Sequence, residues 1–320
     1  LGKKLIDIAV ESGADAVKFQ TFKTENIITP EAPKSTYHVE TTGSDNTQTW
    51  FQLLKTQEMS RNMHVNLIDY CIKRRIIFLS TPYDNESADL LEELDIPAFK
   101  IASTDTSNIP LLSYIARKGR PMILSSAMAT LEEVENAVAA LRKESLKDIA
   151  VLQCTGNYPA KLEESNLRVI KTFIKKLNCI VGYSDHTSDM INPVAATAMG
   201  AKIYEKHFTI DKTMQGPDHR MSLNPNELKS TIKAIKETER AMGSSVKQVL
   251  EIEKENRVKL RKSIVANTDI RENEIIYENM IGIKRPGNGI QPCDLNKVIG
   301  KKTKFNILSG TVINLDMISE

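Results

Sequence analysis

A chain of 320 residues can bury one large domain of about 250 residues with a small one beside it. Its 43 lysines and arginines against 41 acidic residues leave a net charge of +2, so composition makes no case for a nucleic-acid partner. No apolar run approaches the ~18 residues of a membrane span, no signal peptide opens the chain, and Cys71, Cys154, Cys179 and Cys293 lack Cys-x-x-Cys spacing; the expectation is a cytoplasmic protein with reduced thiols, no zinc knuckle and no membrane partner.

The chain opens on an amphipathic helix, apolar at helical spacing from Leu5 to Val10 and ended by Ser12-Gly13-Ala14. A compact strand is predicted over 15–20. The alternation then repeats: helix 61–74 and strand 75–81, helix 85–94 and strand 98–103, helix 111–117 and strand 121–126, helix 131–142 and strand 149–155, helix 167–177 and strand 180–187, helix 190–199 and strand 202–209. Short apolar strands alternating with amphipathic helices predict a parallel sheet with helices outside. Seven strands after an opening helix make the expected fold an α/β, (β/α)8 TIM barrel whose first strand lies upstream of Leu1. With two unpaired edges near Lys18 and His207, the chain as it stands is expected to be inactive or poorly soluble. No G-x-G-x-x-G or G-x-x-x-x-G-K-[ST] loop follows any strand, which weighs against a doubly wound nucleotide-binding sheet.

Between Thr21 and Met59 the rhythm breaks, in a connection far longer than the ~2–6 residues of ordinary βα loops. It holds Tyr37, His38, Trp50 and Phe51 and reads as a lid or substrate loop, a decorated surface loop being the plainer alternative. After a helix over 226–241, Gly243-Ser-Ser245 and the charged run from Glu251 to Lys262 mark a linker. The predicted organisation is a barrel domain at 1–245, a linker at 246–258 and a small β-rich domain at 259–320, with short strands at 263–266, 275–277, 281–284, 298–300 and 311–313. A domain of that size is near the lower limit for folding alone and is expected to lean on something.

The carboxyl ends of the strands carry Lys18 and Gln20, Thr81, Lys100 and Ser103, Ser125, Tyr158, Ser184 and His186, and His207. In a barrel such groups converge on one mouth. Two lysines among hydroxyls suit an anion, a phosphate or a carboxylate. His186 and His207 stand 21 residues apart, the length of a strand–helix–strand unit, so both imidazoles emerge at the same edge. With Asp185 and Asp218 near in sequence they suggest a divalent cation, against the plainer reading of two hydrogen-bonded strand-end histidines.

All of these residues but Ser125 and Tyr158 fall within seven motifs in order: Val17-Lys-Phe-Gln-Thr, Phe78-Leu-Ser-Thr-Pro82, Phe99-Lys-Ile-Ala-Ser103, Gly182-Tyr-Ser-Asp-His-Thr187, Glu205-Lys-His-Phe-Thr209, Gly216-Pro-Asp-His219 and Lys284-Arg-Pro-Gly-Asn-Gly289. Over essentially its whole length the chain resembles the sialic acid synthase (N-acetylneuraminate synthase) family, with an antifreeze-like (SAF) domain at the end. The resemblance implies a metal-dependent condensation of phosphoenolpyruvate with an open-chain N-acetylated hexosamine such as N-acetylmannosamine, giving a nine-carbon 2-keto acid and phosphate. It implies that His186 and His207 hold Mn2+ or Mg2+, that Lys18, Thr81, Lys100, Ser103, Ser125 and Ser184 hold phosphoenolpyruvate, and that Gln20, Tyr158 and Asp218 meet the sugar. Lys18, Lys100, His186, His207 and Asp218 make up the implied catalytic set. A domain-swapped homodimer is implied as well, with Arg285 reaching the partner's barrel. Two departures stand out: the family's first strand, with its glutamate and Asn-His-Asn-Gly turn, is not in this sequence, and Gly156 stands where some members have Asn. Legionaminate, pseudaminate and spore-coat polysaccharide synthases share most of these motifs. A non-catalytic sugar-binding remnant is the reading from another class, and the intact polar rim opposes it.

Overall fold

One parallel sheet of seven strands organises the N-terminal unit, Leu1–Gly243, of the computed structural model, which describes residues 1–44, 46 and 48–319. The strands are β1 (Ala16–Thr21), β2 (Ile77–Pro82), β3 (Phe99–Ile101), β4 (Met122–Ser125), β5 (Ile149–Cys154), β6 (Ile180–Asp185) and β7 (Tyr204–Lys206), and their order in space is their order in the chain. Each pairs in parallel with the one before it. The result is a TIM-like half-barrel, as the alternation of strands and helices predicts, with β1 and β7 at its two edges.

Side chains set where the helices start and stop. Helix Gly2–Ser12 ends at Gly13, whose φ of 85° is a left-handed conformation that glycine reaches without a Cβ clash, and the chain turns there into β1. Ser60 caps helix Arg61–Arg74 by accepting from the Met63 N–H, and Thr130 with Glu133 closes a capping box on helix Leu131–Lys143. Asp84 accepts from the Ser87 N–H at 2.8 Å to cap helix Asn85–Glu93, and from the Lys23 N–H at 2.9 Å, which ties the exits of β1 and β2 together. Phe99, Ile101, Leu112, Met122, Leu124 and Leu141 are sealed from solvent in one core, where truncation of a leucine to alanine costs about 2–5 kcal/mol. Mid-strand, a Cβ on Gly182 would sit 2.4 Å from the Ile203 oxygen and 2.5 Å from Leu152 Cδ2, so only glycine lets the strands pack this closely below Ser184 and His186.

Two stretches differ from expectation. The long connection after β1 holds three short helices, Thr24–Ile27, Thr36–Thr42 and Trp50–Lys55, the last begun by a Thr49–Gln52 capping box. Helices of one or two turns are too short to show a period in sequence. The second unit, Ser244–Glu320, has two strands among the described residues, β8 (Ser263–Ala266) and β9 (Ile281–Lys284), paired antiparallel. The runs expected as strands at 275–277 and 311–313 make single bridges, Ile275 with Lys302 and Val312 with Val265, and 298–300 is a turn. These three-residue runs supply core instead: Ile276, Val298 and Ile313 are buried together with Ile264, Ile270 and Ile307. Within the stretch expected as a linker, Lys254–Leu260 is helical.

Candidate active site

Side chains alternate across a strand, so Ser184 and His186 leave β6 on one face, and Asp185 and Thr187 on the other. Glu205 and His207 share a face in the same way, with Lys206 opposed. Register sets Cys154 beside Ser184 and Ser184 beside Glu205 across β5, β6 and β7. Glu205 is the hub of the cluster. Ser184 donates to its Oε1 at 3.0 Å, Lys18 Nζ lies 3.5 Å from Oε2, and Lys100 Nζ lies 3.6 Å from Oε1. Burial alone would raise this carboxyl, but the Lys100 and Lys18 ammoniums outweigh it and hold Glu205 down at about 2. Lys100, only 2% exposed, donates to Ser125 Oγ at 2.6 Å and to the Ile101 carbonyl at 2.8 Å. Burial brings its ammonium down to about 8, against the pull of Glu205. Two cations against one carboxylate leave surplus positive charge in a place shielded from water, which suits an anionic ligand.

Beside this cluster stand the two imidazoles, with ring centroids 5.6 Å apart. His186 Nδ1 lies 2.7 Å from the Thr155 carbonyl, so Nδ1 carries the proton and Nε2 keeps its lone pair. Burial lowers the pKa of His186, and burial followed by Lys18 and His186 pushes His207 down to about 3, so both rings are neutral at pH 7. The Tyr158 ring lies against His186 at 4.1 Å and meets His207 edge-on at 6.2 Å, while Asp218 Oδ2 is 3.9 Å from His207 Nδ1. Neutral imidazoles, one with its tautomer fixed by a backbone carbonyl, fit a divalent cation. Among the described residues no group of three or more His, Cys, Asp or Glu is gathered as a ready-made cage.

Asp185 is not part of that ligand set, contrary to what its place in sequence suggests. It points to the opposite face, fully buried, where it accepts from the Thr187 N–H and hydroxyl at 2.8 Å each and from the Tyr204 hydroxyl at 2.6 Å, with Lys206 Nζ at 3.4 Å. Lys18, Lys100, Ser125, Ser184, His186, His207, Tyr158 and Asp218 are brought together at one edge. Ser103 joins them through Cys154, whose thiol lies against Ser103 and Ser184 and is raised by burial, and Ser103 also accepts the Ala127 N–H at 3.0 Å. Thr81 is buried on β2, in register with Gln20, its hydroxyl without a hydrogen-bond partner; Gln20 is exposed at the end of β1. Arg285 stands in the second unit, exposed, just after β9. Glu205 and Cys154 are site residues beyond those the strand ends single out: Glu205 stands two before His207 and so shares its face, while Cys154, whose Sγ lies 3.8 Å from His186 Nδ1, carries no signal in the sequence.

Fold and site together define a TIM-like α/β protein whose carboxyl strand edge gathers two ammoniums, several hydroxyls and two neutral imidazoles. Comparison with known proteins narrows the class. The NeuB family pattern matches residues 5–247 and the SAF domain pattern residues 261–319. The chain is 44% identical over 303 residues, 94% of its length and 90% of the relative's, to the N,N'-diacetyllegionaminic acid synthase of Campylobacter jejuni. It is 35% identical over 320 residues, 99% of its length and 88% of the relative's, to the human N-acetylneuraminate-9-phosphate synthase. Among solved structures, the N-acetylneuraminic acid synthetase of Leptospira borgpetersenii, determined with citrate, superimposes with a TM-score of 0.70 at 31% identity, covering 80% of this chain and 84% of that one. The chain belongs to the NeuB family, the sialic acid or nonulosonic acid synthases, and carries a C-terminal SAF domain. Among the described residues no helix is long and apolar enough to cross a membrane.

Proposed function

We propose that the protein condenses phosphoenolpyruvate with an open-chain N-acetylated hexosamine, forming a nonulosonic acid and releasing phosphate. The observation that carries this is the Lys18, Glu205 and Lys100 cluster beside His186 and His207 at one strand edge, in a chain of the NeuB family. Phosphoenolpyruvate bears a phosphate and a carboxylate; Lys18 and Lys100 meet that charge with ammoniums already in place. Ser103, Ser125 and Ser184 add hydroxyls, and the unpaired Thr81 hydroxyl gains the acceptor it lacks. His186 and His207 would hold Mn2+ or Mg2+, which when bound supplies Lewis-acid polarisation of the sugar aldehyde. Tyr158, Asp218 and Gln20 face the sugar. C3 of the enol bonds to the aldehyde carbon, water adds at C2, and the C2–O bond to phosphate breaks as the keto group forms. Arg285 serves the barrel of a partner chain in a homodimer.

The acceptor has two readings. N-acetylmannosamine is the simpler one; an acceptor with two acetamido groups is favoured by the 44% identity to the N,N'-diacetyllegionaminic acid synthase. Incubation of enzyme supplied with the family's first strand with phosphoenolpyruvate, Mn2+ and each sugar, followed by mass spectrometry, tests both. A nonulosonic acid formed with one sugar and lost with chelator or with His207→Ala is the expected result. Absence of any such product from either sugar would overturn the proposal.

A further inference from the structure

The residues between β1 and helix Arg61–Arg74 bring one aromatic ring to the reaction edge. Tyr37, on the short helix Thr36–Thr42, lies 6.3 Å from the Tyr158 ring at an interplanar angle of 30°, and Tyr158 in turn lies on His186. Tyr37 leaves the chain after β1 yet stands at the Tyr158 ring, just past β5, and within electrostatic reach of Asp218 and Arg220. Behind it the segment is braced: His38 contacts Tyr37 at 5.8 Å and stacks on Trp50 at 4.2 Å and 21°. The ring is half-buried, and its hydroxyl, shut off from solvent near the Met221 backbone, makes no hydrogen bond of normal geometry. A buried donor in that state lacks a partner that a ligand can provide.

We propose that Tyr37 is a specificity-determining residue that contacts the acceptor sugar. The inference rests on the condensation proposed above and assigns it one more contact. Lysines and serines gather around Lys100 and Glu205 and take the anionic substrate; Tyr37 lies against Tyr158 and within reach of the Asp218 charge, the two residues assigned above to the sugar. An aromatic face with a neutral hydroxyl suits a sugar, packing on its C–H surface and donating one hydrogen bond.

The test compares Tyr37→Phe and Tyr37→Ala with the parent enzyme under Mn2+. Tyr37→Phe is expected to raise the acceptor KM about tenfold, the worth of one hydrogen bond, and Tyr37→Ala to raise it further, with the phosphoenolpyruvate KM unchanged. Calorimetric binding of the acceptor's alditol, which has no aldehyde to react, is expected to weaken in parallel. If both variants keep the parent's acceptor KM and alditol affinity, the Tyr37 assignment fails while the condensation stands. If phosphoenolpyruvate and acceptor weaken alike, Tyr37 is a structural residue and the assignment fails. If the parent turns over neither sugar, the proposed function fails and this inference falls with it.

Discussion

Lys100 is an ammonium held almost wholly out of water, 2% exposed, and its pKa of about 8 against an ordinary 10.5 measures what that burial costs. Between those two values the unfolded chain binds more protons than the folded one, so this residue makes the fold more stable as pH rises through that window. Substrate capture runs the other way. Above pH about 8 the amine loses its charge and with it the hold on phosphate or carboxylate, so kcat/KM for phosphoenolpyruvate is expected to fall on the alkaline side. Arginine stays charged throughout, and Lys100→Arg should remove that limb even where it lowers the plateau. An alkaline limb identical in parent and variant would refute the role. The lysine was legible in sequence because a charge inside a short apolar strand, Phe99–Ile101, stands out; Glu205, which anchors it, was not, since a charged residue beside Lys206 reads as solvated until the register with Ser184 is known.

The strand pair β6 and β7 lines the site with one face and holds it with the other. Asp185 and Lys206 are buried on the face opposite the imidazoles, with Tyr204 and Thr187 completing the set, so His186 is gripped through both its neighbours. Removing the carboxylate leaves a buried ammonium unpaired, which costs about 3–5 kcal/mol. Asp185→Ala should therefore lower Tm by on the order of 10 °C, and Asp185→Asn, which keeps an acceptor for the Thr187 N–H, by less. A melting curve within a degree or so of the parent's for Asp185→Ala would show that the grip is dispensable. Helices and strands of the sheet were legible because each carries its own period; helix 61–74 is bounded in the structure as in the sequence. The face that Asp185 takes was also implicit in strand alternation, but its nearness to His186 in sequence pointed to the metal instead. Segments of one turn or three apolar residues, as in 24–55 and 275–313, carry too little pattern to classify.

The chain as a whole consists of two units, Leu1–Gly243 and Ser244–Glu320, and the proposal that Arg285 of one chain serves the barrel of another is tested at this scale. Mixed dimers decide. Inactive Lys18→Ala and Arg285→Ala subunits, allowed to exchange, should regain activity if Arg285 acts on the partner, since one site then joins an intact barrel to an intact arginine; activity at background would place it on its own chain. The reaction itself is tested most directly with phosphoenolpyruvate carrying oxygen-18 at the bridging position, in the presence of the acceptor sugar and Mn2+. Water addition at C2 with C–O cleavage predicts one labelled phosphate for each nonulosonic acid formed, and no phosphate when the sugar is left out. Unlabelled phosphate, or phosphate released from phosphoenolpyruvate alone, would contradict the account.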